Sequence, residues 1–366
     1  MKKNVLLAPG PTPLPAEVRE ALALPIIHHR TPQYRSIFAS VSERLKGVFL
    51  TKNPVYTFTG SGTSAMEAAL VNFHNAGDSY LMIEGGKFSE RYADIGNAYG
   101  LKPQVLKVEW GTAVNPADVE AALKANPALQ SVCVQLCETS TAVLHDIKAL
   151  GQIVAKTQAL LIVDGISGLG ADRLETDAWG ADLVIAGSQK ALMLPPGLAF
   201  LSVSEKAKKR LAASNLPRFY LDLRLYEKAM KDQDTPFTPA IGLVIALSKA
   251  LDLIEAEGIQ NVFSRCEEMG KFTRGLLQSI GLELFSKAPS ATVSAALMPK
   301  GIDGEKITNI MRDEKGVTLA GGQGHLKGKI VRVAHMGAIR KEDIEEGVRV
   351  LAQTLREAES KVGQGA

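Results

Sequence analysis

A lysine and an aspartate occupy matching positions in this chain, and both residue types can do chemistry there. Asp164 directly follows the apolar run 160–163, and Lys190 lies shortly after the apolar run 183–186; glycine-containing turn sequence accompanies both. Short apolar runs of this kind indicate buried strands. If the two strands are parallel, both charged groups lie in one crevice beyond the carboxyl ends of the strands.

This pair suits the chemistry of pyridoxal phosphate. A lysine amine can hold the cofactor aldehyde as a Schiff base, and once a substrate amine displaces it, the freed amine can move protons. A carboxylate beside the pyridine nitrogen stabilises the protonated ring, which then acts as an electron sink. Either residue alone is more often an ordinary turn or surface residue. Together, Asp164 and Lys190 indicate a pyridoxal phosphate enzyme.

A glycine- and serine-rich turn provides a candidate phosphate site. The strand predicted over 55–59 runs into GSGTSAMEAAL, where Ser64 and Glu67 have the spacing of a capping box that opens a helix. Unpaired N–H groups and the helix dipole make such a helix start an anion site. The turn taken alone also fits an ordinary strand-to-helix connection, so its assignment to phosphate depends on Lys190.

Three further features are candidate contacts for a cofactor or a substrate. Phe88 follows a strand and a glycine turn, where it could lie against a planar ring or equally pack into the core. The hydroxyls of the turn 138–141 could bind a cofactor edge or simply stabilise the turn. Arg332 lies within a predicted strand, 330–334, and if it points inward it needs either a structural ion pair or a substrate carboxylate.

The elements that must position these residues alternate between strand and helix patterns. This alternation predicts a doubly wound α/β domain with a mostly parallel sheet over residues 16–258. A proline-rich N-terminal arm precedes it at residues 1–15, and a smaller α+β domain follows at residues 259–366. The boundary is expected near Gly258, between two long apolar-periodic helices predicted over 241–257 and 262–280. Further helices are predicted over 88–99 and 116–125, and a strand is predicted over 317–320.

Composition argues against several classes of partner. The 366 residues include 42 basic and 39 acidic side chains, without the clustered basic excess expected for nucleic-acid or membrane binding. No apolar run approaches the length of a membrane span. Three scattered cysteines do not form a disulfide framework, which favours a reducing, cytoplasmic location. Cys133 and Cys137 lie in the apolar run SVCVQLC and are interpreted as core residues rather than metal ligands. No metal site is expected, because the adjacent His28 and His29 lack the spacing of a helical metal site.

Taken together, the motifs resemble the class V aminotransferases of fold type I, in the group of serine–pyruvate and alanine–glyoxylate aminotransferases. The resemblance extends over nearly the whole chain, and GSQKAL followed by PPG is its most specific part. The motifs are PGPTPLP, HHRTPQYRSIF, TGSGTSAMEAAL, CETSTAVLHDI, VDGISGLG, AGSQKALMLPPG and GGQGHLKGKIVRVAHMG.

The resemblance implies roles for the cofactor-binding residues. Lys190 would form the covalent link to pyridoxal phosphate, and Asp164 would pair with the pyridinium nitrogen. The other implied cofactor contacts are Gly62 and Thr63 at the phosphate, Phe88 in the place of the aromatic residue that stacks on the ring, Ile166 near the ring, and Thr139 and Gln189 as polar contacts.

The resemblance also implies a substrate site and a homodimer with shared active sites. Arg332 would bind the substrate carboxylate, with Gly10 of the arm beside it. Thr235 and Pro236 match a segment that contacts the phosphate of the partner subunit in this family. Asp232 stands where many members have a tyrosine, three residues before the threonine, and this departure leaves the extent of the partner's contribution open.

The expected reaction is transfer of an amino group from serine or alanine to glyoxylate or pyruvate. The sequence shows no obvious second arginine for a side-chain carboxylate, which favours such small substrates. A cysteine desulfurase is a rival of the same fold, but residues 317–326 contain no cysteine and Phe88 is not a histidine. The other rival is an accessory protein, because some relatives carry the name of a soluble hydrogenase small subunit.

Overall fold

The computed structural model describes residues 4–363, with the side chains of residues 4–360. A seven-stranded sheet between two helical layers forms the larger part of the chain. In chain order, its elements and the N-terminal strand are β1 (Val5–Leu6), α1 (Ala16–Leu22), α2 (Pro32–Phe49), β2 (Val55–Gly60), α3 (Gly62–Val71), β3 (Ser79–Glu84), α4 (Glu90–Ala98), β4 (Lys102–Lys107), α5 (Pro116–Ala125), β5 (Ser131–Gln135), β6 (Cys137–Glu138), β7 (Val143–Leu144), α6 (Ile147–Val154), β8 (Leu160–Asp164), β9 (Leu183–Gly187), β10 (Gly197–Val203), α7 (Glu205–Leu211), α8 (Leu223–Met230) and α9 (Ile241–Glu257).

The strand order of the large sheet is β2-β10-β9-β8-β5-β3-β4. Strands β9, β8, β5, β3 and β4 form parallel pairs, whereas β10 is antiparallel to both of its neighbours. The predicted mostly parallel α/β fold is therefore confirmed. The sequence analysis did not identify β10 or helix α8.

Side chains of the central strands alternate between the two faces of the sheet and pack into two hydrophobic cores, one on each face. In β8, Leu161 and Val163 pack with α1, α2, α5, α6 and α9, and Leu160 and Ile162 pack with α3, α4, α7 and α8. All five residues of β8 and all five of β9 are buried, as a parallel sheet covered on both faces requires. The sheet is thus a rigid support for the residues at its carboxyl edge.

A smaller antiparallel sheet follows α9. Its order is β11-β14-β13, and β1 pairs in parallel with β12 beside it. The elements of this part are α10 (Ile259–Ser279), β11 (Val293–Leu297), α11 (Gly304–Asp313), β12 (Val317–Thr318), β13 (Ala320–Gly321), a short 3-10 turn (Gly324–Leu326), β14 (Ile330–Ala334) and α12 (Lys341–Gly363). The single strand predicted over 317–320 is therefore wrong, because the chain there contributes two short strands to two different sheets.

Gly258, with a φ of +82°, separates helices α9 and α10. Helix α9 packs against α1 and α2, whereas α10 packs against α12 and β11 as well as α9. The division into residues 1–15, 16–258 and 259–366 stays a prediction, and residues 1–3 and 364–366 of these ranges lie outside the described chain. Within residues 4–363, no helix has both the length and the apolar character needed to cross a membrane.

Candidate active site

Two adjacent parallel strands bring Asp164 and Lys190 to one cavity. Strands β8 and β9 pair in register, with Asp164 opposite Ile185, and Lys190 follows in the turn after β9. Both side chains line the same cavity at the carboxyl edge of the sheet. The arrangement expected from the two apolar runs is the one observed.

The cavity collects most of the residues singled out in the sequence. Arg332 and Gly10 adjoin it through contacts described below. Twelve residues line it: Ser61, Gly62, Thr63, Phe88, Arg91, Cys137, Thr139, Asp164, Ile166, Ser167, Gln189 and Lys190.

Asp164 is buried, with 6% of its surface exposed. Its Oδ1 accepts a hydrogen bond from the backbone N–H of Ile166 at 2.9 Å. Burial raises the pKa of Asp164 to about 6, and the charge of Glu138 acts in the same direction, whereas Arg91 and Lys190 lower it. The carboxylate is thus held where its charge is costly unless a cationic partner enters the cavity.

Lys190 lies against the N-terminal arm. Its Nζ donates a hydrogen bond to the carbonyl of Pro9, and the backbone N–H of Thr12 donates to the carbonyl of Gln189 at 3.2 Å. A Cβ atom on Gly10 would lie 2.5 Å from Lys190 Nζ, so the arm approaches as closely as it does because position 10 has no side chain. Burial lowers the pKa of Lys190 to about 8.

Helix α3 begins at the cavity, but not through the predicted capping box. Ser61 occupies the N-cap position without a side-chain cap bond, and Ser64 Oγ instead donates to the Ser61 carbonyl at 2.7 Å. Glu67 accepts a hydrogen bond from the Tyr99 hydroxyl. The capping box was wrong because the helix starts at Gly62, whose missing Cβ leaves room for Ile166 Cδ1, 2.5 Å from where that Cβ would lie.

A buried carboxylate fixes the turn that carries Phe88. Glu138 is fully buried and accepts hydrogen bonds from the backbone N–H groups of Phe88 (3.3 Å), Ser89 (2.9 Å) and Ser140 (3.1 Å) and from the Ser140 hydroxyl (2.6 Å). Burial raises the pKa of Glu138, and these hydrogen bonds oppose that rise. Because Phe88 lies in this turn, the predicted helix over 88–99 begins only at Glu90.

Glu138 and Thr139 belong to the hairpin of β6 and β7, and this hairpin also connects the large sheet to Arg332. Thr139 Oγ1 donates to Ser167 Oγ at 2.5 Å, and the Thr139 carbonyl accepts from Arg332 Nη1 at 2.8 Å. Arg332 Nε also donates to the carbonyl of Gly321 at 2.9 Å, and only 5% of the residue is exposed. Burial lowers the pKa of Arg332 to about 10. No carboxylate pairs with Arg332 within the described residues.

Thr235 does not line this cavity. It is buried in a different turn, where its hydroxyl donates to the Phe237 carbonyl at 2.7 Å and its N–H donates to Asp234. Asp234 also pairs with Arg30 and Arg35, at 2.9 Å each. Within one chain, therefore, Thr235 is apart from the other predicted cofactor contacts.

The residues present fit pyridoxal phosphate. The cavity has a carboxylate for a ring nitrogen, an amine for an aldehyde and a helix N-terminus for a phosphate. Gln189 Oε1 is buried and has no hydrogen-bond partner within the described residues, which leaves a polar atom for a bound group.

Sequence reasoning missed several residues of the site. Cys137 was assigned to the core; it is buried, but it also lines the cavity and contacts Thr292 Oγ1 at 3.2 Å. Arg91 had a detectable signal, since it lies three residues after Phe88, within the first turn of the following helix. Glu138 was seen only as a turn residue, because nothing local shows which distant N–H groups it binds. Ser61 and Ser167 also line the cavity.

Comparison with known proteins gives a consistent family. The sequence profile of "Aminotransferase class-V" matches residues 6–346. An uncharacterized aminotransferase of Methanocaldococcus jannaschii is 41% identical, over 97% of this chain and 93% of the relative. A protein of Synechococcus sp. named soluble hydrogenase, small subunit, is 40% identical over 97% and 94%. A serine–glyoxylate aminotransferase of Methylorubrum extorquens is 34% identical over 100% and 94%.

Solved structures share the fold over nearly the whole chain. An alanine–glyoxylate aminotransferase of Nostoc sp. superposes with a TM-score of 0.93 at 29% identity, covering 97% of this chain and 96% of that one. An aspartate aminotransferase of Thermus thermophilus gives 0.89 at 33% identity, covering 96% and 99%. The profile match and these likenesses show that the chain belongs to the class-V aminotransferase family and is a pyridoxal phosphate-dependent aminotransferase of fold type I.

Proposed function

We propose that the protein transfers an amino group from a small amino acid, serine or alanine, to a small 2-oxo acid, glyoxylate or pyruvate. The observation that carries the proposal is the single cavity onto which Lys190 and Asp164 open from adjacent parallel strands. The names of the serine–glyoxylate relative and of the alanine–glyoxylate structure support this choice of substrates.

Each residue around the cofactor has a proposed part. Asp164 would bind the pyridine nitrogen, and the start of α3, with Gly62 and Thr63, would bind the phosphate. Phe88 and Ile166 would lie against the ring. Thr139 and Gln189 would bind its polar edge. When bound, the cofactor supplies the electron sink that makes the substrate Cα–H acidic.

Lys190 is the proposed acid and base. With a pKa of about 8, its amine is partly neutral near neutral pH and can accept the proton from the substrate Cα. Arg332 would fix the substrate carboxylate, because two of its N–H groups are occupied by the carbonyls of Gly321 and Thr139 while the others remain for a ligand. Gly10 would leave space for that carboxylate beside Lys190.

A homodimer is proposed as the working form. Phe219 is 75% exposed although its ring lies 5.6 Å from that of Phe237, the residue that accepts the Thr235 hydrogen bond. Exposed Leu24 and Ile26, at 57% and 77%, add apolar surface. A second copy covering the aromatic surface would bury it and would approach Thr235, which we propose contacts the phosphate of the partner subunit. A cytoplasmic location stays a prediction.

The test begins with purified protein and added cofactor. We expect an absorbance band of bound cofactor that changes on addition of alanine or serine, and formation of glycine from glyoxylate. Lys190→Ala should abolish both responses while the circular dichroism spectrum stays that of the folded protein. The exposed Lys124→Ala is the matched control and should behave like the wild type.

The accessory-protein alternative gives a different result in the same experiment. It has support from the relative named as a hydrogenase small subunit. Under that alternative, neither alanine nor serine changes the spectrum of the wild-type protein, and no amino acid in a donor panel yields product with glyoxylate or pyruvate. Such an outcome would refute the proposed reaction.

A further inference from the structure

Two buried polar side chains beside Asp164 have no part in the proposed reaction. Gln135 is the last residue of β5 and is 1% exposed, and Tyr92 of α4 is fully buried. Among the residues that the structure describes, neither the amide nitrogen and oxygen of Gln135 nor the hydroxyl of Tyr92 has a hydrogen-bond partner. Buried polar atoms without partners are costly and uncommon, so these three atoms indicate a bound group.

Both side chains lie on the same face of the large sheet as Asp164. Gln135 and Asp164 are opposite each other in the parallel pair of β5 and β8, so their side chains project from one face, about 5 Å apart at the backbone. Two residues earlier in these strands, Cys133 and Ile162 share a core with Tyr92, so this is the face that α4 covers. Tyr92 and Asp164 also interact electrostatically. The three side chains therefore lie together at the carboxyl edge of the sheet.

The neighbouring side chains do not satisfy these atoms. The Tyr80 hydroxyl, which belongs to the same core, donates instead to the backbone carbonyl of Tyr92 at 2.5 Å. Asp164 accepts one hydrogen bond, from the Ile166 N–H, and no other donor from the described part of the chain reaches its carboxylate. A water molecule can serve both needs, since it donates and accepts hydrogen bonds and is stable in a buried site that offers it several polar partners.

We propose that Tyr92 and Gln135 hold a buried water molecule against Asp164 and act through it as positioning residues, keeping the carboxylate ionised for the cofactor ring nitrogen. The water donates a hydrogen bond to the carboxylate, and Tyr92 and Gln135 fix its orientation. Hydrogen bonds to the charged form of a group favour that form, so this arrangement opposes the effect of burial on Asp164. The inference rests on the part proposed for Asp164, but it concerns a property of the apoprotein that can be measured without turnover.

Several charged or titratable groups already surround Asp164, and a test must leave them unchanged. Substitutions that remove only the hydrogen-bonding atoms of Tyr92 and Gln135 alter no charge at neutral pH, because burial raises the pKa of the Tyr92 hydroxyl well above its ordinary value. A change in the titration of Asp164 would therefore report the lost hydrogen bonds. The groups that act on Asp164 or share its face are Glu138, Arg91, Lys190, Tyr92, Tyr80 and Cys133.

The test follows the ionisation of Asp164 in the apoprotein by carbon-13 NMR of chains labelled at the aspartate side-chain carboxyl. The Asp164 resonance is the one that Asp164→Asn removes. We expect Tyr92→Phe and Gln135→Met each to move its titration midpoint upward by about one pH unit, as loss of one hydrogen bond to a charged group requires. Tyr56→Phe is the matched control, because Tyr56 is also buried but its hydroxyl donates to Glu227, and it should leave the midpoint unchanged.

The double variant and a crystal structure test the shared water. Because loss of either side chain releases the same water molecule, the double variant should move the midpoint no further than one substitution does. A crystal structure of the wild type should show an ordered water within hydrogen-bond distance of Tyr92 Oη, the Gln135 amide and Asp164. An unchanged midpoint in either single variant, shifts that add in the double variant, or no ordered water at this position would overturn the proposal. If the midpoints move as expected but the holoenzyme uses no amino donor, the proposed reaction fails and this inference stands.

Discussion

Asp164→Asn tests the electrostatic account of the site through stability. Burial raises the pKa of Asp164 from its ordinary value of 3.8 to about 6. At about 1.4 kcal/mol for each pKa unit, this rise corresponds to a cost of about 3 kcal/mol for keeping the carboxylate ionised in the folded apoprotein. The side-chain amide of Asn has nearly the same shape, and its oxygen can still accept the hydrogen bond from Ile166 N–H.

The sign of the pH dependence follows from the direction of the shift. Because the folded protein binds this proton more tightly than the unfolded chain, the carboxyl group costs nothing below about pH 4, and stability falls as the pH rises from about 4 to about 6. The apoprotein of Asp164→Asn should therefore be more stable than the wild type by up to about 3 kcal/mol at about pH 7.5. The difference should shrink towards zero near pH 4.

Urea unfolding of the two apoproteins, followed by circular dichroism at several pH values and equal protein concentrations, measures this difference. Asp303→Asn is the control, because Asp303 is an exposed N-cap of α11 and Asn caps a helix equally well. A variant that is no more stable than the wild type at about pH 7.5, or a gain that does not depend on pH, would refute the reasoning.

Three further outcomes follow from the geometry. Glu138→Gln should lower the free energy of unfolding by about 1 to 3 kcal/mol, because an amide in its place leaves at least one buried donor without an acceptor; this loss exceeds the gain from removing a buried charge, since Glu138 accepts four hydrogen bonds whereas Asp164 accepts one. Glu90→Gln at the surface should cost less than about 0.5 kcal/mol in the same denaturation assay; equal costs would contradict the role of Glu138. Gly10→Ala, at a φ of +108° and with its Cβ against Lys190, should reduce kcat by about 100-fold, and wild-type turnover would argue against the close approach of the arm. Light scattering should give about twice the chain mass of 39.1 kDa, with Phe219→Glu shifting the protein towards the monomer; a monomeric wild type would remove the proposed dimer.

The main features of the site could be predicted because local sequence specifies them. A fully buried strand has a short apolar run, and the residues at its carboxyl end lie at the edge of the sheet. Asp164 is the last residue of β8 and Lys190 lies three residues after the end of β9, so the two apolar runs were enough to place both at that edge. Helix α9 was found at its observed bounds, Ile241–Glu257, from its apolar period. Pro116 after the N-cap Asn115 likewise gives α5 a sharp start.

What could not be predicted depends on contacts between distant segments. The run that forms β10 is as apolar as its neighbours, and nothing in its composition shows that it is antiparallel to both. The capping box predicted from Ser64 and Glu67 was wrong because the helix already begins at Gly62. Nothing in the local sequence shows that Ile166, more than a hundred residues later, packs against that glycine. Glu138 gained its importance only when the turns carrying Phe88 and Thr139 were brought together.

The N-terminal arm is hydrogen-bonded at both ends of a short segment, residues 7–12. Leu7 is hydrogen-bonded on both sides, to Thr318 and Ala334 of the small part of the chain, and only a few residues later Pro9 and Thr12 are bound to the turn that carries Lys190. Because so few residues separate these hydrogen bonds, inserting or deleting one residue at positions 8–10 would break the hydrogen bonds at one end, either those of Leu7 or those of Pro9 and Thr12. A peptide added before residue 4 would not change the number of residues between Leu7 and Thr12. The number of residues between the small sheet and the turn that carries Lys190 is therefore fixed by the hydrogen bonds at both ends of the arm.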